Sequence, residues 1–391
     1  MTADMNQSAK QRFEKVREIY LKELAQQPVA RDINDLPVSY ELISDEWLTK
    51  VLCAKVSEAQ VVGHTLDSPD EGTSNRRRIF LTYNNAGSMA GLPASVFCKA
   101  TQSLESRFLI GMNRSTEAES IFYNRIRPFL NIEAPVGLFA KVSTESLNSI
   151  LIMKDMAAGA TFCDHKTPMS LARARSQVEL LATLHGAFYG HAEMQKLIEP
   201  LQPFEEWCNL TEQTFGWSGA RIRGFLAGHE VIPPRLYQRA DEVDAATVRA
   251  MASHRGLPAT LVHSDTHLKN WYIAANGQMG LCDWQICVTG CGIRDLATTV
   301  STALTVEDRR NWEMDLIKHY LVCLADAGAT LLSFDQTLLI YRQQLLTSLA
   351  NWTATLTPPP GSPDMQPAET SLEFIQRMAH AIDDLDALDS I

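Results

Sequence analysis

The apolar positions of the chain change their rhythm about 155 residues in. Phe13, Val16, Tyr20 and Leu24 recur at helical spacing and predict an amphipathic helix, with mostly helical structure up to about residue 60. Strand-like pieces follow from about Gln60. NRRRIFLTY (75–83) alternates and ends on β-formers, and SVFCKA (95–100) is a second strand candidate. The turn-rich NNAGSMAGLP between them predicts a hairpin connection. Residues 115–130 read as a helix with Ile121, Phe122, Ile126, Phe129 and Leu130 on its apolar side, and SILIM (149–153) reads as a short buried strand.

After about residue 157 helical patterns dominate, over 169–190, 203–226 and 233–254. A compact β segment interrupts them at 260–285, and helices resume over about 293–352. TPPPGSPDMQP (357–367) breaks any helix, and a last one is expected from about residue 369. No repeat of fixed period is visible. The pattern predicts a mixed α+β fold in two regions, 1–155 and 156–391.

Composition narrows the class. A length of 391 residues suits two or three packed lobes, and 45% hydrophobic with 21% charged residues is ordinary for a globular protein. No apolar run of roughly 18 residues appears, so no membrane span is expected. The net charge of −11 argues against a general nucleic-acid binder. It leaves room for a nucleotide held by a few local cations, and for a cationic substrate. The N-terminal MTADMNQSAKQRFEKVREIYLKEL mixes acids and bases without an apolar core, which predicts no secretory signal and a cytoplasmic protein. Cys282, Cys287 and Cys291 cluster but lack the paired spacing of a zinc site.

The chemistry concentrates in LVHSDTHLKNWYIAANGQMGLCDWQ (261–285). It reads strand, polar loop, strand, tight turn at Asn276-Gly277, strand, and brings Asp265, Asn270 and Asp283 toward one end. Phosphoryl transfer needs a carboxylate to orient the attacking hydroxyl. It also needs an amide oxygen and a second carboxylate to hold Mg²⁺, a cation that prefers hard oxygen ligands. Asn270 follows Asp265 by five residues, the offset of the protein-kinase catalytic loop.

In these motifs the chain resembles the aminoglycoside phosphotransferase and choline kinase superfamily, especially its ecdysteroid-kinase-like branch. HSDTHLKN is similar to that family's HGDxHxxN loop, CDWQ to its metal motif, GIRDLA (292–297) to its RDLA element, and LATLHGAFYG (181–190) to its LAxLHAxFW helix. The resemblance covers roughly residues 60–350 and implies a bilobal protein-kinase-like fold. In it a nucleotide-binding N-lobe precedes a helical C-lobe for catalysis and substrate. It implies that Lys99 contacts the α and β phosphates of ATP and that Glu119 orients Lys99. Gly72, Thr73, Ser74, Asn75 and Arg76 would form the phosphate-covering turn, and Met153, Lys154, Asp155 and Met156 the adenine hinge. Asp265 would be the catalytic aspartate, with Asn270 and Asp283 on Mg²⁺. The implied activity is transfer of a phosphoryl group from ATP to a small hydroxylated molecule.

Four departures stand out: Ser264 where the family has Gly, Lys269 before the metal Asn, Lys154 in the hinge, and a phosphate loop without GxGxxG. Lys269 contacts phosphate, binds an anionic substrate group or points to solvent. His267 contacts the substrate or caps a turn. His185 and His263 read as core histidines, and Asp295 as a brace for the catalytic loop. At least one of Arg76, Arg77 and Arg78 should face solvent on an alternating strand. Trp207, Phe215, Trp217 and Trp352 favour a partly apolar, sterol-like acceptor; the acidic balance favours an aminoglycoside or amino alcohol. A catalytically weak nucleotide-binding regulator is the alternative of another class. A protein kinase is disfavoured by the missing GxGxxG and APE elements.

Overall fold

A computed structural model describes residues 6–329, 332–359, 362 and 365–391. The expectations for residues 1–5, and for 360, 361, 363 and 364 of the proline-rich break, lie outside the described residues. The remainder divides into two compact units, one of residues 6–129 with 135–159, the other of 130–134 with 160–391.

The first unit is built on an antiparallel sheet. Its strands are β1 (Val61–Leu66), β2 (Asp70–Glu71), β3 (Asn75–Tyr83), β4 (Ser95–Ala100), β5 (Gly137–Val142) and β6 (Ser149–Lys154). They run in the order β1-β3-β4-β6-β5, with β2 paired to β3. β6 carries four consecutive buried residues because it is central and covered on both faces. The sheet packs with Trp47 and Leu48 of the helix Asp45–Leu52 over a core that includes Ile79, Val96, Cys98 and Ile152. The N-terminal helix Gln7–Gln26 buries Phe13 and Val16, whereas Leu24 of the expected stripe is 49% exposed. The stretch 84–93 joins antiparallel β3 and β4 as expected but winds into a short helix, Asn85–Met89, capped by Asn84. The helix expected over 115–130 is α-helical only for Ser115–Ile121 and then widens into a π turn, Phe122–Ile126.

The second unit is mostly helical. Its strands are β7 (Ala160–Phe162), β8 (Thr260–Val262), β9 (Trp271–Ala274), β10 (Met279–Leu281) and β11 (Val288–Gly290). β10-β9-β7 form one small antiparallel sheet and β11-β8 another. The helix expected over 203–226 is two helices, Phe204–Phe215 and Trp217–Ala227, because Gly216 at φ +67° ends the first in the left-handed conformation. Similarly, 293–352 resolves into Ile293–Ala303, Val306–Asp326 and Phe334–Leu356. Thr305 caps the second and Ser333 the third.

Every residue of Ile293–Ala303 is buried, including its polar side. That side is satisfied by the Phe334–Leu356 helix: Arg294 Nη1 donates to Thr347 Oγ1 at 2.6 Å, and Thr298 and Ser348 share a hydrogen bond of 2.6 Å. No helix among the described residues is long and apolar enough to cross a membrane.

Helix Trp217–Ala227 approaches Phe334–Leu356 so closely that a Cβ on Gly224 would lie 1.8 Å from the Thr353 carbonyl oxygen. Backbone cannot yield as a flexible side chain does. Gly224→Ala is therefore expected to cost roughly 3 kcal/mol by overpacking, read as a lowered urea midpoint. An unchanged midpoint would show that the two helices do not touch there.

Candidate active site

The chemistry-bearing loop runs from β8 to β9. Its backbone hangs on one buried carboxylate. Asp295 Oδ2 accepts the backbone N–H of His263 at 2.7 Å, and Oδ1 accepts that of Ser264 at 2.8 Å. Its carbonyl accepts from Thr266 Oγ1 at 2.9 Å. On the far side the His185 ring bridges Asp295 Oδ2 (3.3 Å) and the Tyr320 hydroxyl (2.8 Å). Burial pushes the Asp295 carboxyl up, but His185 and the backbone donors outweigh it and hold the group below the ordinary carboxylate range. Gly292 gives the His185 ring its room: a Cβ there would sit 2.5 Å from Nδ1.

Ser264 sits at φ +71°, a conformation that favours glycine. Its side chain has work of its own. Arg294 donates Nε to Ser264 Oγ at 3.1 Å and Nη2 to Ser264 O at 3.0 Å, and stacks its guanidinium over Phe204. Arg294 is 1% exposed, so each of its N–H groups needs an acceptor. The serine thus accepts backbone strain and in return satisfies a buried cation.

His263 ties the two ends of the motif together. Its Nδ1 accepts the Asp265 N–H at 3.2 Å, and its Nε2 donates to the Cys282 carbonyl at 3.0 Å. Burial holds the imidazole below its usual range, in keeping with a neutral ring that accepts at one nitrogen and donates at the other. Cys282 N–H also bonds the Asn270 carbonyl across the β9–β10 ladder at 2.8 Å. Asp283 follows at φ +64°, a strained position for a non-glycine residue and of the kind found at functional sites.

Asp265, Asn270 and Asp283 are therefore brought to one end of the β9–β10 hairpin. Asn270 Nδ2 donates to the Asp265 carbonyl at 2.8 Å and to its Oδ2 at 3.2 Å. With the amide nitrogen so used, the atom Asn270 offers a cation is Oδ1. Burial pushes the Asp265 carboxyl up, and the His267 ring beside it outweighs burial and holds it low, so it is an anion at neutral pH. Among the described residues no group of three or more His, Cys, Asp or Glu is placed to hold a metal. One amide oxygen and one carboxylate suit Mg²⁺, which keeps waters and substrate phosphates as its other ligands.

In the first unit, Lys99 of β4 and Glu119 of the helix Ser115–Ile121 form an ion pair at 2.8 Å. They are only 8% and 6% exposed. Residues 72–74 form the turn between β2 and β3, closed by Gly72 N–H to Ser74 O at 3.1 Å. Ser74 and Asn75 are buried, and Asn75 Oδ1 accepts the N–H groups of Gln102 and Ser103 at 2.8 and 3.0 Å. The Asn75 side chain thus braces the turn from beneath.

All three arginines of the run are paired, Arg76 with Asp70, Arg77 with Glu41 and Arg78 with Asp155 and Asp67. Met153 and Lys154 end β6, the first buried and the second exposed, and Asp155 and Met156 follow it. The Asp155 carboxylate is held by Arg78 Nε at 2.5 Å, Ser95 Oγ at 2.7 Å and Ala157 N at 3.1 Å.

Lys269 donates its ammonium to Gln366 Oε1, a partner with no local sequence signal. Sequence reasoning also passed over Arg294, although it stands beside Asp295 in GIRDLA.

These features define a class: an antiparallel sheet carrying a buried Lys–Glu pair, with a helical unit that carries an HxD…N loop and an Asp at positive φ, as in kinase-like phosphotransferases. The chain belongs to the ecdysteroid kinase-like family, whose model matches residues 73–333 of 391. The fold is similar to that of a candidate aminoglycoside phosphotransferase from Ralstonia eutropha (TM-score 0.52, 11% identity, 88% of this chain and 97% of that one). It is equally similar to that of a choline kinase from Cryptosporidium parvum (TM-score 0.52, 10% identity, 88% and 97%). No curated protein matches the sequence.

Ser264 gives a sharp test. Ser264→Ala keeps the strain and orphans Arg294 Nε, whereas Ser264→Gly orphans it but removes the strain. The glycine variant is expected to be more stable than the alanine variant by about 1 kcal/mol. Equal denaturation midpoints for the two would mean that the backbone there is unstrained.

Proposed function

We propose that the protein transfers the γ-phosphoryl group of ATP to a hydroxyl of a small molecule. The observation that supports this best is the Asp265 carboxylate, an anion fixed by Asn270 at 3.2 Å. Asp265 orients the acceptor hydroxyl and takes its proton. The acceptor oxygen forms a bond to the γ-phosphorus while the bond from that phosphorus to the bridging oxygen breaks, and ADP leaves with the electron pair. Asn270 and Asp283 hold Mg²⁺, which when bound neutralises phosphate charge. Lys99, kept in place by Glu119, steadies the α and β phosphates. The 72–76 turn supplies backbone N–H groups to phosphate oxygens, and residues 153–156 hold the adenine edge. Rate enhancement then comes from positioning and charge neutralisation, without a covalent enzyme intermediate.

The acceptor is a small hydroxylated molecule. The family's name supports a sterol-like alcohol. The aromatic argument supports it less than the sequence suggested, because Trp207, Phe215 and Trp352 are core residues at 5%, 5% and 4% exposure. Their rings serve packing. A net charge of −11 supports an amino alcohol as the second reading.

Three measurements bear on this. Millimolar Mg-ATP should raise the melting temperature, since a ligand that binds only the folded state stabilises it. Asp265→Asn should keep that shift while turnover falls on the order of 100-fold or more. ADP release from Mg-ATP over pooled sterols, polyols and amino alcohols identifies the acceptor. A folded protein that shows no shift with Mg-ATP, or an Asp265→Asn variant with full turnover, would end this reading.

A further inference from the structure

His267 stands two residues after Asp265 and is only 6% exposed. Its Nε2 lies 3.5 Å from Asp265 Oδ2, the same oxygen that receives Asn270 Nδ2 at 3.2 Å. No described residue donates to Asp265 Oδ1. The other ring nitrogen, Nδ1, is buried and has no hydrogen-bond partner among the described residues.

An aromatic wall explains how such a ring is held. Trp352, from the helix Phe334–Leu356, meets the imidazole edge-on with centroids 5.0 Å apart. Phe374, from the helix Ala368–Asp384, lies 5.9 Å away and packs on Trp352 at 4.5 Å. Trp352 and Phe374 are 4% and 0% exposed, so the wall is closed.

The two nitrogens then settle the tautomer. The Asp265 carboxylate lies on the Nε2 side, and a proton on Nδ1 would be a buried N–H without an acceptor among the described residues. The proton therefore sits on Nε2 and points at Asp265.

The geometry points to His267 as a positioning residue: Asn270 donates to Asp265 Oδ2 and the His267 ring lies against the same oxygen at 3.5 Å, so that Oδ1 is left to face the acceptor hydroxyl. This rests on the phosphotransfer reading for its purpose but not for its contact. His267 does not touch the reacting atoms. It fixes which carboxylate oxygen takes the proton, and the wall of Trp352 and Phe374 fixes His267. Two helices without a catalytic motif thereby set the direction of the base.

The test uses side chains that place nitrogen differently. A glutamine in place of His267 would put its amide nitrogen near the position of the ring Nε2; an asparagine amide ends short of it. On basal hydrolysis of Mg-ATP, with water as acceptor, His267→Asn and His267→Ala should lower kcat roughly tenfold at unchanged KM for ATP. His267→Gln should restore most of it. Trp352→Phe, which keeps an aromatic wall but loosens it, should fall between. If the role is only packing, the glutamine and asparagine variants should lose stability alike and keep kcat, and that result overturns the proposal.

A second readout needs no turnover. Ring ¹⁵N resonances of the full chain, with His267 assigned by its loss in His267→Gln, should show the Nε2–H tautomer and shift on Asp265→Asn. An Nδ1–H tautomer, or no response to Asp265→Asn, overturns the positioning role. If the folded wild type shows no melting shift with Mg-ATP while the tautomer and its response are as expected, the phosphotransfer reading fails and the contact stands.

Discussion

The site depends first on one buried carboxylate. Asp295 accepts two consecutive backbone N–H groups from the loop that carries Asp265, and it is 0% exposed. Those N–H groups have no ladder partner, since the loop has left β8. Without Asp295 they would be buried donors lacking acceptors, each costing about 1–3 kcal/mol. The carboxylate is itself an anion in a dry interior and is sustained by His185, which leans on Tyr320. The direction of Asp265 thus rests on a chain of contacts reaching from Val306–Asp326 through Leu171–Gly186 to Ile293–Ala303. Loss of any member would be felt in the loop before it was felt in the fold.

Two residues of the site are held at positive φ, Ser264 and Asp283. Both are conformations that the chain would not choose locally, and each is over-determined by its surroundings. Ser264 is clamped by Asp295 on one side and Arg294 on the other. Asp283 follows a residue whose carbonyl is bound by His263 and whose N–H is bound by Asn270. In the proposed reaction this strain serves positioning: a carboxylate that must meet a metal at a fixed distance cannot be left to a flexible loop. The buried Lys99–Glu119 pair follows the same logic in the sheet unit. Its desolvation is a cost that packing alone would not offset.

Much of this was legible in the sequence because it is local. β3 and β4 match their expected bounds, and the β9–β10 hairpin turns at Asn276-Gly277, with Gly277 at φ +83°. Period-two alternation and turn chemistry act over a few residues and leave a readable trace. β5, β7 and β11 left none. β5 lies at a sheet edge against its hairpin neighbour β6, while β7 and β11 are three-residue strands only because distant segments, β9 and β8, offer them a ladder. The break at Gly216 was missed because the apolar pattern continues through it while the backbone does not.

The sequence by itself determined the candidate constellation: the identity, order and spacing of Asp265, Asn270, Asp283, Lys99 and Glu119, and the hairpin that gathers the first three. Those features depend on residues near one another along the chain, or on one motif matching another. The tertiary structure decided how each group is held. It chose Gln366 as the partner of Lys269, tied the Asp155 carboxylate to Arg78, and set Trp352 and Phe374 against His267. Such contacts join residues tens to hundreds of positions apart. Nothing in local propensity or periodicity encodes them, because they exist only once the helices have packed and excluded water.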